Sequence, residues 1–284
     1  MGKSILTEAI QEVEYKINRE ISEKYPGIPL LQLPIATWYE EPVIVDPREK
    51  SAEGIRDNIN REFSDCRKTC PDTYHVHSIW GQTDLGRITK IIESYKQVPE
   101  NHGRLRQVFP DLTLAVKTYK SGCSATHAND RIDDIGVEVQ YMDSAIYFGK
   151  RAGDPLYKLR RLILSKPESE VTAEDLELAE LYLWGEQHLN KVVAPLTDRA
   201  EHLPMLNNYI LRSEFPNFKE MPMRANNNYN PALVRNLNNK RNYVDWQILN
   251  RALRELPQEM LTGVQDRLVA GAVEAFPSIV VDRI

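Results

Sequence analysis

Residues 204 to 251 constrain the fold of this chain more than any other stretch. Twelve asparagines lie between residues 207 and 250, and four prolines interrupt the same region. Asparagine side chains compete with the backbone for hydrogen bonds, and each proline removes a backbone donor and fixes φ. We therefore expect no long regular element between residues 204 and about 231, and we predict a long extended arm over about residues 204–243.

The arm also carries large aromatic side chains, which disordered segments usually lack. Such groups are unfavourable in water, so we expect the arm to lie on its own domain or on protein partners in an oligomer or larger assembly. The residues that we assign to a binding arm are Arg212, Phe215, Phe218, Arg224, Tyr229, Arg235, Lys240, Arg241 and Tyr243.

The charge of the arm suggests a second kind of partner. Between residues 209 and 251, seven basic residues stand against three acidic ones, a local net charge of +4. Basic and aromatic residues in alternation neutralise phosphates and stack on bases, so nucleic-acid binding is the alternative interpretation. A second basic cluster is a candidate extension of this surface; it consists of Lys150, Arg151, Lys158, Arg160, Arg161 and Lys166.

Composition favours the protein partner over nucleic acid, because the whole chain carries a net charge of −5. No run approaches the roughly 18 apolar residues that a membrane-spanning helix needs, and we expect no membrane association. Three cysteines are too few for a disulfide framework at this length and are typical of a reducing compartment. We therefore expect a cytoplasmic protein, or one within a particle assembled in the cytoplasm.

The periodicity of apolar residues predicts a mainly helical α+β fold with a small mixed sheet in the N-terminal half. Apolar residues recur every three or four positions from Leu6 to Ile21, which predicts a helix, and GRITKIIESYKQV at residues 86–98 has a similar pattern. The alternation in DIGVEVQYM at residues 134–142 predicts a strand. A polar stretch at residues 165–170 is the predicted boundary between a mixed α+β part, 1–166, and a helical part, 167–284. Thr172 and Asp175 form a predicted capping box at the start of a helix in the second part.

Cysteine and histidine cluster in the first half of the chain, and this suggests a zinc site. Thiolate and imidazole are the ligands that zinc prefers. The candidate ligands are Cys66, Cys70, His75, His77, Cys123 and His127. Their spacing matches no familiar zinc pattern, and buried free cysteine is common in protein cores. Our expectation is therefore no cofactor, with zinc as the alternative.

A second group of residues partly resembles the site of a metal-dependent nuclease. Such enzymes bring two carboxylates together on a divalent cation, often as an Asp followed by Glu-x-Lys on a strand. Asp111 and Glu138 supply the carboxylates here, but Gln140 occupies the lysine position. Surface acids that only keep the protein soluble explain the same residues.

No nucleophile motif or phosphate-binding glycine loop occurs in the chain. From this absence and from the arm, we expect a non-enzymatic structural or adaptor subunit of a larger assembly, such as a virus particle or a nucleoprotein complex. The alternative is a nucleic-acid-binding protein, possibly the nuclease described above.

Overall fold

A six-stranded mixed sheet organises the fold in the computed structural model, which describes residues 1–51, 54–55, 84–118, 124–133, 135–164, 166, 168–214 and 258–282. The strands are β1 (Val43–Glu49), β2 (Gly86–Ile91), β3 (Thr113–Thr118), β4 (Ser124–Ile132), β5 (Ile135–Met142) and β6 (Val280–Asp282). Their order across the sheet is β3-β4-β5-β2-β1-β6. The β2–β5 and β1–β6 pairs are parallel, and the other neighbours are antiparallel.

Six α-helices accompany the sheet in the described part of the chain. They are α1 (Gly2–Lys24), α2 (Val98–Val108), α3 (Ser144–Leu164), α4 (Ala173–Val193), α5 (Arg199–Glu214) and α6 (Gln258–Ala275). Helices α1, α3 and α4 pack on one another, whereas α2 packs against α5 and α6, both of which also contact the sheet. The predicted α+β class with a mixed sheet is confirmed, and five of the six strands come from the N-terminal half.

The apolar pattern of the first helix is confirmed in detail. Leu6, Ile10, Val13, Ile17 and Ile21 are all buried in the core, as the spacing of three and four residues requires. The capping box is also present, since Thr172 accepts from the Asp175 amide and the Asp175 side chain accepts from the Thr172 amide. Helix α4 begins at the position that these two residues predict.

Two predictions of secondary structure are wrong. Residues 86–91 form strand β2 rather than helix. The adjacent polar residues Thr89 and Lys90, both buried, break the alternation of polar and apolar residues that would indicate a strand. Residues 204–214, expected in an extended arm, lie in helix α5, with Pro204 inside it. Leu206 is fully buried there and Ile210 packs against the same core, so burial outweighs the hydrogen bond that the proline removes.

The remainder of the predicted arm, from residue 215 to 243, lies outside the described residues. The division of the chain near residue 166 stays a prediction. Among the helices that the structure describes, none combines the length and the apolar character that a bilayer crossing requires.

Candidate functional site

The two faces of the sheet differ in chemistry around strands β2, β4 and β5. Successive side chains of a strand point to opposite faces, and directly paired residues point to the same face. The register pairs His127 with Gln140 and Asn129 with Glu138, and it pairs Arg87 with Glu138 on the other side. We call the face that these five residues share the polar face.

The opposite face carries mostly apolar side chains and belongs to the hydrophobic core. Ile88, Ala128, Val137 and Val139 are all fully buried there. Burial of this face fixes the register of the strands, because a slip of one residue would exchange the two faces. Burial of the apolar face therefore also fixes the positions of the side chains on the polar face.

Glu138 and His127 form a carboxylate–imidazole pair at the centre of the polar face. Nδ1 of His127 lies 2.6 Å from Oε2 of Glu138, and the two residues are only 4% and 6% exposed, respectively. Both backbones are fixed by neighbouring antiparallel strands, so the distance between the side chains is set by the sheet. The hydrogen bond at Nδ1 leaves Nε2 of the imidazole directed away from Glu138.

Gln140 and Lys150 complete the arrangement on the other oxygen of the carboxylate. Nε2 of Gln140 donates to Oε1 of Glu138, and Nζ of Lys150 donates to Oε1 of Gln140 over 2.6 Å. Gln140 follows Glu138 by two residues on β5, whereas Lys150 reaches it from α3. The result is a continuous chain of hydrogen bonds from Lys150 to His127.

These contacts keep Glu138 ionised in spite of its burial. Burial raises the pKa of Glu138, but the charge of His127 and the hydrogen bonds from His127 and Gln140, with a further contribution from the charge of Lys150, together lower it to about 2. The pKa of this buried carboxylate is thus shifted in favour of the ionised form. The carboxylate is suited to orient and stabilise a cationic imidazolium.

Three buried polar atoms of the polar face have no hydrogen-bond partner among the described residues. They are Nε2 of His127, Oδ1 of Asn129 and Nε of Arg87. A buried polar atom that is left without a partner costs about 1–3 kcal/mol. The three atoms include a donor, an acceptor and a nitrogen that serves as either, so ordered water or a polar ligand at this face would satisfy them.

Of the nuclease candidates, Glu138 and Gln140 come together, but Asp111 does not join them. Asp111 lies in the turn after α2 and is exposed, and its charge acts on Asp130, contributing to a raised pKa there after the larger effect of burial. Asp130 pairs with Val137 and therefore belongs to the apolar face. A cation held by both Asp111 and Glu138 therefore gains no support from the described residues and stays a prediction.

The zinc candidates are outside the described residues except for His127, whose Nδ1 is engaged by Glu138. No group of three or more metal-binding side chains occurs in the part of the chain that the structure describes. A zinc site involving Cys66, Cys70, His75, His77 and Cys123 therefore stays a prediction. Among the arm residues, Arg212 lies in α5 and is exposed, and the other eight are outside the described ranges.

The sequence reasoning missed Asn129, Arg87 and Lys150 as members of the site. The alternation of THAND at residues 126–130 places His127 and Asn129 on one face of a strand, and this signal was available. Arg87 was assigned to a helix, so its register with Glu138 was hidden. Lys150 was grouped with a basic cluster, and its contact with Gln140 depends on how α3 returns beside the sheet.

Comparisons with known proteins support no conclusion about fold or function. No protein-family model matches the chain, and no curated protein matches it. Among solved structures, the small alarmone synthetase 1 from Bacillus subtilis is similar at 14% identity and a TM-score of 0.31, covering 71% of this chain and 95% of that one. The prediction of a non-enzymatic structural or adaptor subunit is corrected accordingly: the similar structure carries the name of an enzyme, and nothing found supports a subunit of a virus particle. A likeness at this TM-score supports no inference about activity or substrate.

Proposed function

We propose that this chain is an enzyme that performs general acid–base catalysis at His127 on a polar, hydroxyl-bearing substrate. The single observation that supports it best is the buried pair of His127 and Glu138, in which Nδ1 is occupied and Nε2 has no partner among the described residues. A carboxylate at Nδ1 fixes the tautomer and orientation of an imidazole and stabilises the cation that forms when Nε2 takes a proton.

In the proposed reaction, a hydroxyl group of the substrate or a bound water lies against Nε2 of His127. The O–H proton moves to Nε2 as the oxygen forms a bond to an electrophilic phosphorus or carbonyl carbon of the substrate, and Glu138 stays ionised and balances the imidazolium charge. The bond between that atom and the leaving group then breaks, its electron pair stays with the leaving group, and Nε2 returns the proton to it. Asn129 Oδ1 accepts a hydrogen bond from the substrate and Arg87 Nε donates one, which satisfies both atoms.

The alternative is a purely structural ion pair between His127 and Glu138, with ordered water bound to the three polar atoms that have no partner. Two features favour catalysis over it. Burying an ionised carboxylate is expensive, and an apolar pair of the same volume would serve a purely structural role as well or better. In addition, the three atoms without partners lie on one face, on strands β4 and β2 that flank β5, so that a ligand lying across β5 would contact all of them.

The experiment combines detection of ligands with detection of turnover. Protein labelled with ¹⁵N-histidine is mixed with pools of phosphorylated sugars, nucleotides and hydroxy acids, and the Nε2 resonance of His127 is assigned by its loss in His127→Gln. We expect one pool to shift this resonance and to contain a compound that is converted, as followed by ³¹P and ¹H NMR. We expect His127→Gln and Glu138→Gln each to lower kcat by at least about 100-fold.

His188 supplies a matched control, since its Nε2 lies 3.4 Å from Glu12 in another histidine–carboxylate pair. That pair is more exposed and lies between α4 and α1, away from the polar face. We expect His188→Gln to leave kcat unchanged. Turnover that persists undiminished in both His127→Gln and Glu138→Gln would refute the proposal, as would a His127 Nε2 resonance that responds to no pool.

The compartment and the partners belong to this proposal only as expectations. The cytoplasm remains our proposal for the compartment, supported by the three cysteines. Protein partners remain a proposal that rests on the aromatic residues between 215 and 243.

A further inference from the structure

We propose that Lys150 is a positioning residue that fixes the amide of Gln140 in one orientation and thereby controls the charge of Glu138. This inference rests on the proposed function, because it assigns a regulator to the same site. The observation that carries it is the order of hydrogen bonds from Lys150 Nζ to Gln140 Oε1 and from Gln140 Nε2 to Glu138 Oε1.

The argument starts from the chemistry of the three groups. An ammonium group only donates hydrogen bonds, an ionised carboxylate only accepts them, and a glutamine amide does one at each end. Gln140 lies between Lys150 and Glu138, so its Oε1 must face Lys150 and its Nε2 must face Glu138. A flipped amide would place two acceptors together at Glu138 and two donors together at Lys150.

Without Lys150, no other hydrogen bond within the described part of the chain holds the Oε1 end of Gln140. The amide would then rotate or exchange its contact for water, and Glu138 would lose a hydrogen bond that stabilises its ionised form. The charge of Lys150 would be lost as well, and this charge also favours the ionised form. Both losses act in the same direction on Glu138.

The position of Lys150 supports a role beyond simple packing. His127, Glu138 and Gln140 all lie on strands, whereas Lys150 lies on α3 and is half-buried. The neighbouring Arg151 points to a different partner, with Nη1 at 3.7 Å from Oδ2 of Asp46 on β1. A movement of α3, or neutralisation of the Lys150 ammonium group, would thus change the ionisation of Glu138 through Gln140 and leave the strands in place.

The test measures Glu138 directly in the free protein. The chain is labelled with ¹³C at the glutamate carboxyl group, the Glu138 signal is assigned by its loss in Glu138→Gln, and its pH titration is followed by NMR. We expect Lys150→Met to move the Glu138 titration to higher pH, and Lys150→Arg, which keeps a donor and a charge, to leave it near that of the native chain. Lys158→Met, at an exposed position on the same helix, should not change it.

A double-variant cycle then decides whether Lys150 acts through Gln140. In a Gln140→Met background, Lys150→Met should shift the Glu138 titration by less than half as much as in the native background, because the route through the amide is gone. An equal shift in both backgrounds would mean that Lys150 acts by its charge alone and would overturn the proposal. A Glu138 titration that is the same in Lys150→Met and native protein would overturn it too.

Turnover provides the second measurement and separates the two proposals. We expect Lys150→Met to lower kcat by about 10- to 100-fold with KM little changed, and the acid limb of the kcat profile to move to higher pH. If His127→Gln and Glu138→Gln both leave turnover intact while Lys150→Met shifts the Glu138 titration, the proposed function fails and the role of Lys150 stands. If Glu138→Gln abolishes turnover and Lys150→Met changes neither measurement, only the role of Lys150 fails.

Discussion

The guanidinium group of Arg160 holds the carboxylate of Glu186 through two hydrogen bonds, from Nε to Oε1 over 2.6 Å and from Nη2 to Oε2 over 3.2 Å. The pair joins α3 to α4, and Glu186 is only 6% exposed. Two parallel hydrogen bonds of this kind are among the strongest polar contacts between side chains. A buried carboxylate is tolerated here because its partner is present.

Removal of Arg160 should therefore cost more than removal of Glu186. We expect Arg160→Met to lower the free energy of unfolding by about 3–5 kcal/mol, because it leaves a buried carboxylate unpaired. Glu186→Leu should cost less, since the Arg160 side chain, 20% exposed, is able to turn its head group to water. The double variant should recover most of the loss. Urea unfolding of the three variants checks the order, and equal losses for the single variants would contradict it.

Close helix contacts at two glycines give a second prediction. A Cβ atom at Gly149 would collide with Val193, and one at Gly185 would lie 2.8 Å from Cδ1 of Leu156. Gly149→Ala and Gly185→Ala should each destabilise the protein by about 1–3 kcal/mol through overpacking between α3 and α4. Val193→Ala should partly rescue Gly149→Ala and leave Gly185→Ala unchanged. Thermal and urea unfolding measure both effects.

The matched controls are glycines in helices with no such contact. An added Cβ meets nothing within 4 Å at Gly103 in α2 or at Gly263 in α6. Alanine at either position should stabilise the protein by about 0.4–1 kcal/mol, because it restricts the unfolded chain and favours the helix. Stabilisation at Gly149 or destabilisation at Gly103 would show that contacts between the helices do not decide these effects.

The buried imidazole of His102 makes stability depend on pH. Burial, with a smaller effect of the Arg106 charge, lowers the pKa of His102 from 6.5 to about 4. The unfolded chain therefore takes up a proton before the folded chain as the pH falls, and stability declines between about pH 6.5 and pH 4. The loss from this residue should reach about 3 kcal/mol at pH 4.

His102→Leu should flatten this part of the pH profile, because leucine has no proton to gain. The comparison uses the slope of unfolding free energy against pH between 4 and 6.5, so a constant loss from altered packing beside Tyr209 does not affect it. His202→Leu is the control, since its imidazole lies 3.2 Å from Asp198 at a more exposed position. A slope in His102→Leu equal to that of the native chain would refute this explanation.

Local patterns in the sequence predict a helix or a strand correctly when its polar and apolar residues recur with the period of that element. Helix α1 has one buried stripe, and β5 shows Glu138 and Gln140 alternating with the valines of the core, so both are predictable. Strand β2 gives no such alternation, because Thr89 and Lys90 follow one another in it. In α5, the proline and asparagines predict extended chain, and only the burial of Leu206 by other elements makes the helix favourable.

Only some contacts of the candidate site are predictable from the sequence. Glu138 and Gln140 are close in sequence and were found together, whereas their contacts with His127 and Lys150 depend on the register of β4 and on the path of α3. Arg160 shows the same limit, because a residue assigned to a basic surface is used to neutralise Glu186 within the fold. A charge pattern alone does not reveal which charges are already paired.

A last prediction concerns the segment between α1 and β1, which Asn18 fastens to the helix. Oδ1 of Asn18 accepts from the Leu31 amide over 2.7 Å, and Nδ2 donates to the Leu31 carbonyl over 2.8 Å. Asn18→Asp keeps the shape of the side chain but replaces the donor with an oxygen that faces the carbonyl. We expect a loss of about 1–3 kcal/mol and faster hydrogen exchange at the Leu31 amide.

Gln11→Glu controls for the added negative charge, since it makes the same chemical change at an exposed position of α1. It should leave both the unfolding free energy and the Leu31 exchange rate close to those of the native chain. If Asn18→Asp and Gln11→Glu unfold alike, the two hydrogen bonds do not hold this segment. Packing of Leu33, which is 4% exposed, would then be sufficient to keep the segment against α1.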